Sequence, residues 1–93
     1  MYVVDGIAYA GDPKPMLEVL AIRPLDDFML WAKFNNGDER IYDMKQKLNR
    51  PAFQPLQDES VFRGVYVLYG APAWLDGEID IAPEAIYEGG ITP

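Results

Sequence analysis

The chain of 93 residues contains no histidine and no cysteine, so the side chains most often used as general bases and strong nucleophiles are missing. Ser-His-Asp and Cys-His catalytic arrangements are therefore impossible, as are disulfides and zinc sites that need imidazole or thiolate ligands. Ser60 and Thr92 are the only aliphatic hydroxyl side chains, and neither lies beside a base in the sequence. These residue types predict a protein that is not an enzyme.

Carboxylates are the remaining groups that could perform acid–base chemistry. They occur in adjacent pairs at Asp26-Asp27, Asp38-Glu39 and Asp58-Glu59. General acid–base catalysis needs two groups whose pKa values are driven apart. Each pair lies at a predicted turn or helix cap, where acidic residues are favoured because they accept hydrogen bonds from the backbone. We therefore expect structural roles for the pairs and keep a carboxylate-based enzyme only as a remote alternative.

Alternating acids in the segment Asp76-Gly77-Glu78-Ile79-Asp80 offer the oxygen ligands that Ca²⁺ prefers. The segment lacks the residue order of an EF-hand loop, including its closing glutamate. A solvated turn is the better interpretation. The chain also contains neither a Walker-type phosphate-binding loop nor a Gly-x-Gly-x-x-Gly motif. We expect no metal, nucleotide or other cofactor.

Charge is distributed unevenly along this acidic chain, whose net charge is −7. Residues 38–70 balance five acids with five bases, whereas residues 71–93 contain five acids and no base. The candidate partner-binding residues are these acids and the tryptophan that precedes them: Trp74, Asp76, Glu78, Asp80, Glu84 and Glu88. Such a segment favours a basic protein partner, although a negative net charge also keeps a small domain soluble.

The bases of the central segment indicate an alternative function in nucleic-acid binding. The candidate phosphate-contacting residues are Arg40, Lys45, Lys47, Arg50 and Arg63. Aromatic residues make up 13% of the chain, and stacking platforms for nucleic acids combine aromatic side chains with basic grooves. Here Asp43, Asp58 and Glu59 interrupt the bases, and core packing explains the aromatics better. A nucleic-acid-associated transcriptional regulator is therefore the second hypothesis, and direct binding of nucleic acid is not expected.

Short strands joined by tight turns must position these residues. An Asp-Gly pair predicts an N-terminal hairpin within residues 2–9, and a Pro-rich segment over 11–15 follows it. Further strands are predicted over 17–23, 28–34, 39–42, 65–69 and 73–75. Turns are predicted at 24–27, 35–38, 70–72 and 76–77, where Pro, Asn, Asp and Gly cluster. Along the 17–23 strand, Val19 and Ala21 are expected on one face and Ile22 on the other.

Asp43 and Asp58 are predicted N-caps of short helices over 44–49 and 59–63. The residues around Pro51 and Pro55 are expected to be irregular, and Pro83 begins a last short helix that ends at Gly89-Gly90. The pattern predicts an α+β fold in which a small antiparallel meander carries two or three short helices. We expect one domain over 1–93, with a hairpin extension over 1–15 and a core over 16–88.

The start of the chain lacks the features of a signal peptide, because Asp5, Gly6 and Asp12 interrupt any apolar run. No apolar stretch reaches the roughly 20 residues that span a bilayer. A cytoplasmic protein without membrane association is expected.

Two segments resemble motifs of a known family. They are Phe34-Asn35-Asn36-Gly37-Asp38-Glu39-Arg40-Ile41-Tyr42-Asp43 and Trp74-Leu75-Asp76-Gly77-Glu78-Ile79-Asp80-Ile81-Ala82-Pro83-Glu84-Ala85-Ile86-Tyr87. The spacing of Phe53, Leu56, Asp58, Phe62, Val65 and Val67 is also similar. The family is the bacterial domain of unknown function 2442, and the resemblance covers residues of about 16–88.

The resemblance implies no activity and no catalytic residues. Family members are similar to small proteins encoded beside another uncharacterised domain in proposed toxin–antitoxin pairs, and some carry an added helix-turn-helix. We therefore expect a non-enzymatic protein-interaction module, antitoxin-like in this sense, that binds a small basic partner protein. A homodimer formed along an uncovered sheet edge is compatible with every alternative.

Overall fold

Two three-stranded antiparallel sheets form the frame of the protein in a computed structural model, which describes residues 2–4, 7–9 and 16–93. The strands are β1 (Tyr2–Val4), β2 (Ile7–Tyr9), β3 (Val19–Pro24), β4 (Met29–Phe34), β5 (Glu39–Asp43), β6 (Tyr66–Leu68), β7 (Ala71–Trp74) and β8 (Ile79–Asp80). One sheet has the order β3-β4-β5, the other β6-β7-β8, and β1 pairs with β2 alone. The predicted α+β class is confirmed, with the antiparallel strands divided between sheets where the sequence predicted one.

The predicted N-terminal hairpin is confirmed, because β1 and β2 pair antiparallel with Val3 opposite Ala8. Its Asp5-Gly6 turn and the Pro-rich segment over 11–15 lie outside the described residues.

Short helices lie in several connections between the strands, and one helix follows the last strand. They comprise 3₁₀ helices at Asp26–Phe28, Met44–Lys47 and Pro51–Gln57, and the α-helices α1 (Glu59–Phe62) and α2 (Pro83–Gly89). The predicted caps are confirmed: Asp43 accepts a hydrogen bond from the backbone of Lys45, and Asp58 accepts one from the backbone of Ser60. The stretch expected to be irregular is instead a 3₁₀ helix, because Pro51 at its start has a backbone angle suited to a helix and needs no partner for a missing N–H.

A β-bulge between Val19 and Ala21 changes which residues of β3 face the core. Val19 pairs with Phe34, but Ala21 pairs with Lys33, so one residue is inserted between them. Val19 and Ile22 therefore both pack on the core, while Leu20 is exposed. The predicted alternation, which placed Ala21 beside Val19, is wrong because strict alternation cannot accommodate the inserted residue.

The turn between β6 and β7 consists of Tyr69 and Gly70, not of the predicted 70–72. Both residues have positive φ, 50° and 78°, as the tightest hairpin turns require. Pro72 therefore lies inside β7 opposite Val67. Its missing N–H does not prevent pairing with β8, because its carbonyl accepts a hydrogen bond from the backbone of Ile81 at 3.1 Å.

The core contains side chains from both three-stranded sheets and both α-helices. Trp74 stacks on Phe62 with ring centroids 6.3 Å apart, and Phe62 meets Phe28 edge-on at 5.2 Å. The backbone N–H of Val19 donates to the carbonyl of Gly70 at 2.8 Å, which joins the edge of the first sheet to the β6–β7 turn. At the other edge, Ile91 after α2 forms an antiparallel bridge with Ile41 of β5. Sheets and helices therefore share one core.

Candidate interaction surface

Five exposed carboxylates lie on the segment that follows β7. Their side chains are those of Asp76, Glu78, Asp80, Glu84 and Glu88. Glu84 and Glu88 are one turn apart on α2 and therefore share a face of that helix. None of the five forms an ion pair or side-chain hydrogen bond with a residue that the structure describes. We call them the acidic surface.

Trp74 does not belong to the acidic surface, and its assignment as a partner-binding residue was wrong. Its side chain is completely buried in the core. Its indole Nε1–H donates to the carbonyl of Phe62 at 2.8 Å, so even its polar atom is satisfied inside the molecule. The tryptophan holds β7 against α1 and is not available to a partner in this structure.

Leu75, which sequence analysis did not select, is exposed beside the acidic surface. It is 44% exposed at the start of the β7–β8 turn. Leu75, Asp76 and Gly77 have φ values of 53°, 55° and 85°. For leucine this left-handed conformation is strained. The Asp-Gly pair predicted the turn but could not reveal that the leucine before it shares the left-handed conformation.

Hydrogen bonds within the turn hold it in this shape. The backbone N–H of Gly77 donates to Trp74 and that of Glu78 donates to Leu75, each at 3.1 Å. A Cβ atom on Gly77 would lie 2.9 Å from Cδ2 of Leu68, so glycine suits this position for its conformation and for its size. The turn therefore presents Leu75 and the first two acids together.

Two of the candidate phosphate-contacting bases, Lys45 and Arg63, form ion pairs with acidic side chains outside the acidic surface. Nζ of Lys45 lies 2.8 Å from a carboxylate oxygen of Asp27 and 3.4 Å from one of Asp43. The hydrogen bond to Asp27 is the main reason why the pKa of Lys45 is raised above 10.5. Arg63 pairs with Asp26 at 2.7 Å and with Glu59 at 3.7 Å. The acid pairs at the β3–β4 turn and at α1 therefore have structural partners.

Arg40, the third of these bases, is held by the last helix. Its Nε–H donates to the carbonyl of Tyr87 at 3.1 Å, and its guanidinium lies 4.1 Å from the centre of the Tyr87 ring. Within the described part of the chain, Lys47 and Arg50 form no ion pair. Arg40, Lys47 and Arg50 are thus without an acidic partner among the described residues, whereas acids pair with Lys45 and Arg63. The structure does not join all five bases into one unneutralised patch.

An open cleft of about 440 Å³ lies beside the β4–β5 turn. It is lined by Gly37, Asp38, Glu39, Arg40, Thr92 and Pro93. The Asp38 carboxylate is already occupied, because it accepts hydrogen bonds from Tyr87 and Asn36. Glu39 is exposed and accepts a bond from Trp31 at 2.8 Å. The cleft therefore does not bring together two buried carboxylates of the kind that an acid–base mechanism needs.

Ser60, the other aliphatic hydroxyl, donates to its own helix cap, Asp58, at 2.7 Å. Among the residues described, no three acidic side chains form a group that could hold a metal ion. No described helix is long and apolar enough to cross a membrane.

The fold and these surfaces define a small α+β protein with an acidic surface around the β7–β8 turn and α2. Residues 19–92 match the family model described as "Protein of unknown function (DUF2442)". The chain belongs to this family, which confirms the resemblance carried by its two motifs. The match begins and ends slightly later than the expected 16–88, and the β1–β2 hairpin lies outside it. No curated protein and no solved structure matches the chain.

Proposed function

We propose that this protein is a non-enzymatic interaction module that binds a small basic protein through its acidic surface, with Leu75 as an apolar contact. The proposal joins the charge pattern of the sequence with the exposure of these side chains. In the family context it corresponds to an antitoxin-like role, in which the module covers a positively charged partner encoded beside it.

The contrast between the two sets of acids carries the proposal. Asp26, Asp27, Asp43 and Glu59 face Lys45 or Arg63 at short distances. The five acids of the acidic surface have no such partner in the described chain. A concentration of unneutralised negative charge accelerates encounter with a positively charged partner and disfavours binding to a phosphate backbone.

The placement of Glu88 supports the proposal because it is unfavourable for the isolated protein. Glu88 lies in the last turn of α2, where the helix dipole repels negative charge, and one turn after Glu84. No base occupies that last turn. Leu75 adds backbone strain in the β7–β8 turn. A basic partner would neutralise the charge of Glu88, and an apolar contact point on that partner would cover the exposed Leu75 side chain.

Co-purification from the native host at low salt tests the proposal. The tagged wild-type chain should retain a specific basic protein that dissociates as ionic strength rises, because screening weakens attraction between exposed charges. A variant with Asp76→Asn, Glu78→Gln, Asp80→Asn, Glu84→Gln and Glu88→Gln should lose the partner. A matched variant with Lys47→Gln and Arg50→Gln should keep it.

The same pair of variants separates the proposal from nucleic-acid binding. Fluorescence anisotropy with random duplex and single-stranded oligonucleotides at low salt should show no binding by the wild-type chain. Binding that is lost in the Lys47/Arg50 variant would support the regulator hypothesis and contradict ours. Wild-type chain that retains no protein at low salt would also contradict the proposal.

A further inference from the structure

Asn36 and Gly37, in the turn between β4 and β5, form the one Asn-Gly pair of the sequence. In such a pair the backbone nitrogen of the second residue can attack the side-chain carboxamide of the first, and glycine has no side chain to obstruct the attack. Asn36 is exposed, and a Cβ atom on Gly37 would meet no atom of the described chain within 4 Å. Residue types and exposure therefore make Asn36 a candidate for deamidation.

The hydrogen bonds of the turn oppose this attack. The backbone N–H of Gly37 donates to the carbonyl of Phe34 at 3.0 Å, so the attacking nitrogen is engaged. The carboxamide of Asn36 is also engaged, since its Oδ1 accepts from the backbone N–H of Asp38 at 2.9 Å. Both contacts must break before the Gly37 nitrogen can bond to the carboxamide carbon. The folded turn therefore protects the pair that its sequence makes reactive.

Helix α2 reinforces the turn through the hydroxyl of Tyr87. Nδ2 of Asn36 donates to this hydroxyl and to Oδ2 of Asp38, each at 3.3 Å. The hydroxyl in turn donates to the same Asp38 carboxylate. We call these three side chains the turn–helix network. It holds the Asn36 carboxamide only while α2 packs against the turn.

We propose that Asn36 is a site of spontaneous deamidation whose rate is set by opening of the turn–helix network. In the opened turn, the Gly37 nitrogen bonds to Cγ of Asn36. The proton of that nitrogen passes through water to the side-chain amino group, which leaves as ammonia. The resulting five-membered imide takes up one water molecule. Hydrolysis at one of its carbonyls gives aspartate, and hydrolysis at the other gives isoaspartate, in which the main chain runs through the side chain.

Either product weakens the contact between the turn and α2. The new carboxylate at position 36 cannot donate to Asp38 and repels its negative charge. Isoaspartate also lengthens the backbone between Phe34 and Asp38, whose N–H and carbonyl are bonded at 2.9 Å. Deamidation therefore loosens α2 irreversibly. The reaction needs no partner at the acidic surface, so failure of the proposed partner binding would leave it untouched.

Peptide mapping of the full chain during incubation at mildly alkaline pH measures the reaction. Trypsin cleaves after Lys33 and Arg40 and releases residues 34–40, in which deamidation is detected as the mass change from an amide to an acid. In urea, where the network is absent, Asn36 should react fastest. In the folded wild-type chain the rate should be roughly tenfold lower or less, because several hydrogen bonds must open first.

Tyr87→Phe removes the hydroxyl from the network. It should raise the folded-state rate roughly threefold to tenfold, which is the effect of one hydrogen bond on an opening equilibrium. In urea it should react at the wild-type rate. Tyr69→Phe is the matched control, because the Tyr69 side chain is 97% exposed. Ile79→Val, in the core of the other sheet, lowers overall stability but should leave the rate unchanged, which separates local opening from global unfolding.

Asn36→Asp reproduces one product. The variant should remain folded by circular dichroism but unfold at a lower urea concentration than wild type, and salt should reduce the difference by screening the two carboxylates. Equal rates in the folded and the urea-unfolded chain would overturn the proposal, as would an unmodified 34–40 peptide in urea. So would a Tyr87→Phe rate that equals that of wild type, or an Asn36→Asp variant as stable as wild type.

Discussion

The hydroxyl of Tyr87 in α2 donates a hydrogen bond to the carboxylate of Asp38 at the β4–β5 turn. Asn36 donates to the same carboxylate at 3.3 Å. The Tyr87 ring packs edge-on against the Phe34 ring, with the ring centroids 5.1 Å apart. The guanidinium of Arg40 lies over the face of the Tyr87 ring. The two segments that resemble the family's motifs, 34–43 and 74–87, are therefore joined here. The shared motif residues at this site have a structural explanation.

Replacing Tyr87 with Phe tests that explanation. The variant keeps the ring contacts but removes the donor to Asp38, so the half-buried carboxylate loses a charge-assisted hydrogen bond. We expect the free energy of unfolding to fall by about 1.5–3 kcal/mol. Urea unfolding followed by far-UV circular dichroism measures the change. Tyr69→Phe is the matched control, because the Tyr69 side chain is 97% exposed, and it should leave stability unchanged.

Most of the local structure could be predicted from the sequence because it depends on neighbouring residues. The Asn-Asn-Gly turn at 35–37, the caps at Asp43 and Asp58, and the start of α2 at Pro83 each have a local cause, such as tolerance of positive φ or a side-chain acceptor. The bulge after Val19 and the two-residue turn at Tyr69-Gly70 were missed. Both depend on how β3 and β6 meet in three dimensions, which periodicity does not report.

The β7–β8 turn provides a second prediction, because it holds Leu75 in a left-handed conformation. Leu75→Gly should raise the free energy of unfolding by about 0.5–1 kcal/mol, since glycine adopts positive φ without steric cost. The change is measured by urea unfolding. Leu20→Gly is the control: Leu20 is also exposed but lies in a strand without positive φ, so glycine there should destabilise. Equal effects of the two substitutions would contradict the assigned strain.

The candidate site could be predicted from the sequence only in part. The acids of 76–88 are exposed as their charge suggested, but Trp74 is buried and Leu75 replaces it at the surface. Tryptophan is both a frequent interface residue and a frequent core residue, and composition cannot distinguish the two. For a similar reason, the sequence could not show that Lys45, Arg63 and Arg40 are engaged by other groups of the chain. Their partners Asp27, Asp26 and the Tyr87 carbonyl are distant in sequence.

Glu88 supplies a third prediction, about how much the acidic surface lowers the stability of the folded protein. Glu88→Gln removes a negative charge from the last turn of α2 and from the neighbourhood of Glu84. We expect the folded state to gain about 0.5 kcal/mol, or roughly 2–4 °C in the thermal midpoint. The gain should shrink at high salt because exposed charges are screened. Glu84→Gln is the control, since Glu84 lies in the first turn, where the helix dipole favours negative charge, and it should bring a smaller gain.

The cap at Asp58 gives a pH-dependent prediction. The hydroxyl and the backbone N–H of Ser60 both donate to this carboxylate and hold the pKa of Asp58 below its usual 3.8. A carboxylate whose pKa is lowered by folding stabilises the folded state above the unfolded pKa, and that contribution is lost as pH falls through the folded pKa. Asp58→Asn keeps a cap but loses the charge, so it should unfold at lower urea concentration than wild type near pH 6. The difference should shrink as the pH is lowered stepwise below 3.8.

Asp76→Asn is the matched control, because the Asp76 carboxylate accepts no hydrogen bond from the described chain, and this variant should show no loss of stability near pH 6. If Asp58→Asn stays less stable than wild type by the same amount at every pH tested, the charge of Asp58 does not contribute to the cap.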